Sequence, residues 1–131
     1  MRTAREVVDT MMKAAVKQDL ATVSQCLDPE VVCIEPASLA YGGTTRGREN
    51  FLKDVYGAIF GKFEMDIRSF AILGEHDVVA VDMALNFRSR KTGRDITMPY
   101  VELYSVRDGK VVEIRVYPQD TQRLVEFWNA N

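Results

Sequence analysis

Two alternating runs of apolar and polar residues flank Lys91-Thr92-Gly93, from Val78 to Val106: VVAVDMALNFRSRKTGRDITMPYVELYSV. Alternation with a period of two predicts two strands, and a short Gly-containing loop predicts a hairpin with Gly93 at positive φ. Closing a three-residue loop between Arg90 and Arg94 sets Asp82 opposite Glu102, Ala84 opposite Tyr100 and Asn86 opposite Met98. In that register one face is small and polar: Ala80, Asp82, Ala84, Asn86, Tyr100 and Glu102. The other is apolar: Val79, Val81, Met83, Leu85, Phe87, Val101 and Leu103. Small residues beside two carboxyls and a phenol are expected to line a pocket, so the even-numbered side chains of both strands should point into a hollow.

The rest of the chain supplies helices before this hairpin and one more strand after it. Residues 4–17 repeat apolar positions with helical spacing (Ala4, Val7, Val8, Met11, Met12, Ala15, Val16). Asp19 caps a second short helix that Asp28-Pro29 ends. Val31 to Glu35 is a short strand stopped by Pro36, with either Val31, Cys33 and Glu35 or Val32 and Ile34 facing inward. Residues 37–45, with Tyr41 and Gly42-Gly43, form a loop that is either a rim over the pocket or a plain surface connection. A third helix starts at Gly47-Arg48-Glu49-Asn50 and runs to about Phe60, burying Phe51, Leu52, Val55 and Ile59 with Tyr56 at its edge. Gly57 within it costs about 1 kcal/mol relative to Ala, which predicts a close neighbour there.

Phe63 to Leu73 reads as a strand, and Gly74 to Asp77 as a turn that holds the single His76. After Arg107-Asp108-Gly109-Lys110, Val111 to Pro118 is the last strand. A three-residue loop pairs Glu102 with Ile114 and closes an apolar wall of Val112, Ile114 and Val116; a two-residue Asp-Gly loop pairs Glu102 with Arg115. The first is preferred for its wall. Asp120 or Thr121 caps a final helix bearing Leu124, Val125, Phe127 and Trp128. Helices followed by a run of antiparallel strands predict an α+β fold in one domain spanning residues 1–131.

Composition narrows the function classes. The 131 residues carry a net charge of −2, and no run of basic residues forms a patch. Nucleic acid and anionic membranes are therefore not expected partners. Charge interrupts the first helix every few residues, so it reads as neither signal peptide nor membrane span, and the cytoplasm is the expected compartment. Cys26 and Cys33 are expected as reduced, buried thiols. One His and two dispersed Cys make no metal set, no Gly-rich phosphate loop follows a strand, and no Ser-His-Asp arrangement is available, so neither metal nor cofactor is expected.

The layout, with DLATVSQCLDPEVVCIEP, TTRGRENF and VRDGKVVEIRVYPQD in order, resembles the NTF2-like superfamily, and within it the SnoaL-like polyketide cyclases and the ketosteroid isomerases. That resemblance implies a cone-shaped, curved mixed or antiparallel sheet wrapped around helices, with a deep pocket between them. It also implies a homodimer through the outer face of the sheet, which the apolar second face of the hairpin would serve. Against the ketosteroid isomerases, Glu35 before Pro36 matches the proton-shuttling acid. Glu102, judged from the Asp-Gly-Lys turn, matches the acid of the oxyanion hole. The first-helix Tyr of that family is Met11 here. The resemblance to limonene epoxide hydrolases is weaker, because their last-strand carboxylate falls at Val116.

The residues point to proton transfer next to a carbonyl, which needs a tuned base and a neutral donor for the developing oxyanion. Glu35 is the expected base. Glu102, sharing a proton with Asp82 across the hairpin and helped by Tyr100, is the expected oxyanion donor. Tyr100, Asn86, Tyr56, Tyr41, Met11 and Trp128 are the expected contacts to a small hydrophobic substrate such as a polyketide or terpenoid. Each acid could instead pair with Arg46, Arg48, Arg88 or Arg115. The functional expectation is a cofactor-independent isomerase or lyase of cyclase type, and the alternative is a non-catalytic small-molecule-binding or dimeric interaction domain.

Overall fold

The computed structural model describes residues 2–131. Helix α1 (Ala4–Val16) opens with a capping box, in which the Thr3 hydroxyl accepts from the Glu6 N–H while the Glu6 carboxylate accepts from the Thr3 N–H. Asp19 caps α2 (Leu20–Cys26) by accepting from the Thr22 N–H. Strand β1 (Leu27–Glu35) starts earlier than its sequence suggests. The expected loop contains a further short strand, β2 (Gly43–Arg46), which pairs antiparallel with β1. Its GTTR sequence has almost no apolar alternation, so only its pairing partner makes it a strand.

The third helical stretch, α3 (residues 48–62), includes a π-helical segment at Phe51–Tyr56. Then follow β3 (Phe63–Leu73), β4 (Val78–Ser89), β5 (Asp95–Arg107), β6 (Lys110–Pro118) and helix α4 (Thr121–Ala130). The six strands form one curved mixed sheet in the order β2-β1-β6-β5-β4-β3, in which only β1 and β6 run parallel. Helix α1 packs across the inner face of β3 to β6.

The β4–β5 register differs by one residue from the sequence expectation. The loop has four residues, because the Ser89 N–H donates to the Arg94 carbonyl at 2.8 Å and the Gly93 N–H to the Ser89 carbonyl at 2.9 Å. Val81 therefore faces Glu102, Met83 faces Tyr100, and Asp82 faces Val101. The odd-numbered residues of β4 and the even-numbered residues of β5 turn toward the helices. Asp82 is exposed on the outer face. Asn86 is buried on that outer side, donating to Asp95 Oδ2 and Thr97 Oγ1, both at 2.9 Å. Sidedness was thus right for β5 and inverted for β4. The apolar β4 residues expected outside build the inner wall.

Two bulges adjust the flanking strands. At Asp108-Gly109 both residues have positive φ, so the loop is the two-residue form. A bulge between Ser105 and Val106 then sets Glu102 opposite Val116, and Arg115 stays on the outer face. The inner wall is Val111, Ile114 and Val116 in place of the expected Val112, Ile114 and Val116. In β3 a bulge at Arg68 moves the inner set from Phe63, Met65 and Ile67 to Phe70 and Ile72, which explains that strand's imperfect alternation. Cys26 and Cys33 are free and buried, His76 is exposed in its turn, and no helix among the described residues is long and apolar enough to cross a membrane.

No close neighbour accounts for Gly57. It is exposed with helical dihedrals, and a Cβ there would meet only the Leu52 carbonyl oxygen, at 3.5 Å. Gly57→Ala is expected to stabilise the fold by about 0.5–1 kcal/mol through reduced entropy of the unfolded chain. Urea melts of the two proteins check this.

Candidate functional site

Between the sheet and helices α1 and α3 lies an inner cavity of about 50 Å³, counted as the volume that water centres can occupy. Each element contributes for a local reason. β1 is extended up to Pro36 and turns Val31, Cys33 and Glu35 inward, which resolves its two possible faces. β5 places Tyr100, Glu102 and Tyr104 along one face by its period of two. Met11 comes from α1, and Tyr56 from the end of the π-helical segment. Tyr41 enters from the β1–β2 loop.

That loop is tightly wound: the Leu39 N–H donates to the Pro36 carbonyl at 3.1 Å and the Gly42 N–H to the Leu39 carbonyl at 2.9 Å. A Cβ at position 42 would come within 2.0 Å of the Pro36 oxygen, so only Gly fits beside Tyr41. The loop is therefore a fixed wall of the cavity.

Glu35 and Glu102 share this cavity, and no Arg, Lys or His lines it. None of the ion pairs among the described residues involves either acid. The arginines named as possible partners lie elsewhere. Arg115 pairs with Glu113 on the outer face at 3.1 Å, although its buried Nε is misaligned for a hydrogen bond. Arg48 donates to the Leu27 carbonyl at 3.2 Å, and Arg46 and Arg88 are exposed.

The two acids differ in their immediate surroundings. Tyr104 donates its hydroxyl to Glu102 Oε1. Glu35 Oε1 is buried with no hydrogen-bond partner. Burial, reinforced by the nearby Glu102 charge, pushes the Glu35 carboxyl up to about 8. Burial also raises Glu102, but only to about 6, because the Tyr104 hydroxyl favours its charged form. The phenols of Tyr41, Tyr56, Tyr100 and Tyr104 are all raised, chiefly by burial, and stay protonated donors. The Cys33 thiol is raised in the same way and is a poor nucleophile. At neutral pH the site holds one neutral carboxylic acid and one carboxylate in an apolar enclosure. It can give a proton and take one without a metal.

Of the sequence-predicted residues, Glu35, Glu102, Tyr100, Tyr56, Tyr41 and Met11 line this cavity. Trp128 lines a second, outer cavity together with Tyr41. Asp82 and Asn86 lie on the other side of the sheet and are excluded by the register. Tyr104 was missed. Its signal was available, since it is the next residue after Tyr100 and Glu102 on the same face of β5.

Residues 8–114 match the family of SnoaL-like domains. The chain belongs to this family. Among solved SnoaL-like and NTF2-like folds it resembles an NTF2-like protein of Burkholderia thailandensis (TM-score 0.87, 20% identity, covering 100% of this chain and 99% of that one). It also resembles a protein of Xanthomonas campestris given as a candidate polyketide cyclase (TM-score 0.81, 17% identity, 94% of each chain). A third similar structure is TerC, co-crystallised with polyporic acid (TM-score 0.77, 20% identity, 94% of this chain and 95% of that one). An uncharacterised protein of Mycobacterium tuberculosis is 24% identical over 126 residues, covering 94% of both chains. The fold expected from the resemblance, a curved mixed sheet wrapped around helices, is the fold of this SnoaL-like domain.

The raised acids give stability a pH dependence of definite sign. Glu35 titrates near 4.5 when unfolded and near 8 when folded, so the folded chain binds more protons between those values. The contribution is fully present below about 4.5 and is lost as pH rises through about 8. Glu35→Gln, which cannot ionise, is expected to lie close to the parent at pH 5 and to exceed it at pH 9 by about 4 kcal/mol. Urea melts across that range check the crossover.

Proposed function

We propose that this SnoaL-like protein is a cofactor-independent isomerase or lyase of cyclase type, moving a proton next to the carbonyl of a small apolar compound such as a polyketide or terpenoid. The observation that carries the reading is the pair of acids in one apolar cavity with no cation among its walls. Their unequal surroundings support a division of labour. Glu102, kept charged by the Tyr104 hydroxyl, takes the proton from the carbon beside the carbonyl. Glu35, which retains its proton, donates a hydrogen bond to the carbonyl oxygen and stabilises the enolate that forms. Glu102 then returns the proton to the carbon skeleton at a new position. This exchanges the roles expected from the sequence, because the donor that steadies a carboxylate sits on Glu102 and none reaches Glu35 Oε1.

The names of the similar structures, one a candidate polyketide cyclase and one holding polyporic acid, support a small organic ligand. A binding-only role is the second reading, favoured by Met11 at the position where the ketosteroid isomerases carry a Tyr. Proton exchange separates the two readings. Incubating a panel of cyclic ketones in D2O and following α-deuterium by NMR should show protein-dependent incorporation, optimal near pH 7 and falling below about 6 and above about 8. Glu102→Gln should lower the rate at least ~100-fold with affinity kept within a few-fold. Asp82→Asn, on the outer face, should leave it unaltered. Tight binding with no incorporation in any ketone favours the binding module.

We also propose a homodimer through the outer face of the sheet. Leu73, Val78, Val101 and Tyr117 are exposed there, and Val101 pairs directly with Tyr117. Sedimentation should give a dimer for the parent and a monomer for Val101→Lys/Tyr117→Lys. A monomeric parent would remove the proposal.

A further inference from the structure

The acid pair does not use the outer cavity. It lies where the β1–β2 loop meets α4, and water centres can occupy about 160 Å³ of it, against about 50 Å³ within. Tyr41 and Phe87 belong to the walls of both cavities. The two spaces therefore adjoin, separated by these two rings.

Aromatic rings line the route between them. Trp128 lies 5.5 Å from both Tyr41 and Phe63, measured between ring centroids. Phe63 stacks on Phe127 at 5.6 Å and meets Phe87 edge-on at 6.1 Å. Phe87 in turn lies 6.2 Å from Tyr100 beside the acids. A continuous aromatic surface thus runs from α4 to the carboxyls. No charged side chain lines the outer cavity, and its polar side chains besides the Tyr41 phenol are Ser38 and Asn129. Lys62 Nζ stands 4.9 Å from the Trp128 ring centroid and helps to hold the indole in place. These walls suit a neutral ring, which gains from stacked and edge-on contacts. The inner cavity leaves water centres only about 50 Å³, so a ring system beyond the carbonyl-bearing end would have to extend into the outer one.

We propose that the ligand is an elongated carbonyl compound with at least one further ring beyond its carbonyl-bearing ring system, its carbonyl end between Glu35 and Glu102 and its far ring in the outer cavity, passing the waist made by Tyr41 and Phe87. The orientation rests on the acid–base reading above; the occupation of both cavities does not. Tyr41 is held by the tight loop at Gly42, so it sets the width of the waist and selects flat ligands over branched ones.

Two ketones test this: 1-tetralone, and the longer 6-phenyl-1-tetralone. Calorimetry of the parent should show the longer ketone binding at least 10-fold more tightly. In Val125→Phe, which fills the outer cavity from α4, that preference should fall below 3-fold. Trp128 is the only tryptophan, so its emission reports the outer cavity directly. It should change with the longer ketone and stay constant with the shorter, a readout in the parent that does not depend on the variant folding. Equal affinities, no binding by either ketone, a preference that survives in folded Val125→Phe, or the same emission response to both would each overturn the inference. If the preference and the emission change hold but neither ketone exchanges its α-proton, the acid–base reading fails and the two-cavity ligand stands.

Discussion

The turn at Ser89 decides which side chains the β4–β5 hairpin turns inward. The Ser89 hydroxyl accepts from the N–H groups of Lys91 and Thr92, at 3.2 and 3.1 Å, and so begins the loop one residue before the apparent end of the strand. Gly93 then closes it at φ 74°. The last residue of the chain secures the same loop: the Thr92 hydroxyl donates to Asn131 Oδ1 at 2.6 Å and the Ser89 hydroxyl to the Asn131 carbonyl at 3.3 Å. A slip of one residue in β4 would exchange Val81, Met83 and Leu85 for Ala80, Asp82 and Ala84 on the inner face. It would replace three large apolar walls by two methyls and a charge. Turn chemistry, core burial and the fixing of α4 all favour one register.

That register makes the cavity apolar enough for its two carboxyls to matter. A buried ionised acid without a cation is costly, and the chain meets the cost in two ways. Glu35 keeps its proton, and Glu102 receives the Tyr104 hydroxyl. An arginine inside would have relieved both acids and left two ordinary carboxylates. Arg115 is held outside by the bulge at Val106, where it pairs with Glu113. The neutral acid exists because the sheet's bulge and pleat keep positive charge on the other face. The same desolvation raises the Cys33 thiol and makes it wall rather than nucleophile.

The sequence carried the helices, five of the six strands and the α+β layout, because periodicity and Asp caps are local signals. β2 was not legible, since Gly43-Thr44-Thr45-Arg46 has no apolar alternation and becomes a strand only by pairing with β1. Glu35, Glu102, Tyr100, Tyr56, Tyr41 and Met11 were placed at the cavity by sequence reasoning. Asp82 and Asn86 were misplaced for a single reason: a hydroxyl–backbone turn at Ser89 competes with the three-residue loop that Lys-Thr-Gly suggests. Tyr104 was overlooked although its parity matched Glu102. The order of the two acids' proton affinities was not legible at all, as it depends on which carboxyl the Tyr104 hydroxyl reaches.

Helix α4 ties the stability of the fold to the shape of the outer cavity. Phe127 and Trp128 pack on Phe63, a buried ring at the start of β3 that also walls the cavity. Removing any of these rings would open the cavity and cost core packing together, on the order of 3–5 kcal/mol for a buried Phe. Asn129 differs from them: it lines the cavity from α4 but is exposed, whereas Val125 is half-buried against the core. A change at Asn129 would reshape the outer cavity at little cost to the core and without touching the acids on β1 and β5. The chain therefore separates the two cavities' walls by element. The two acids sit on strands whose register is strongly determined, and the outer cavity is walled in part by side chains of helix α4.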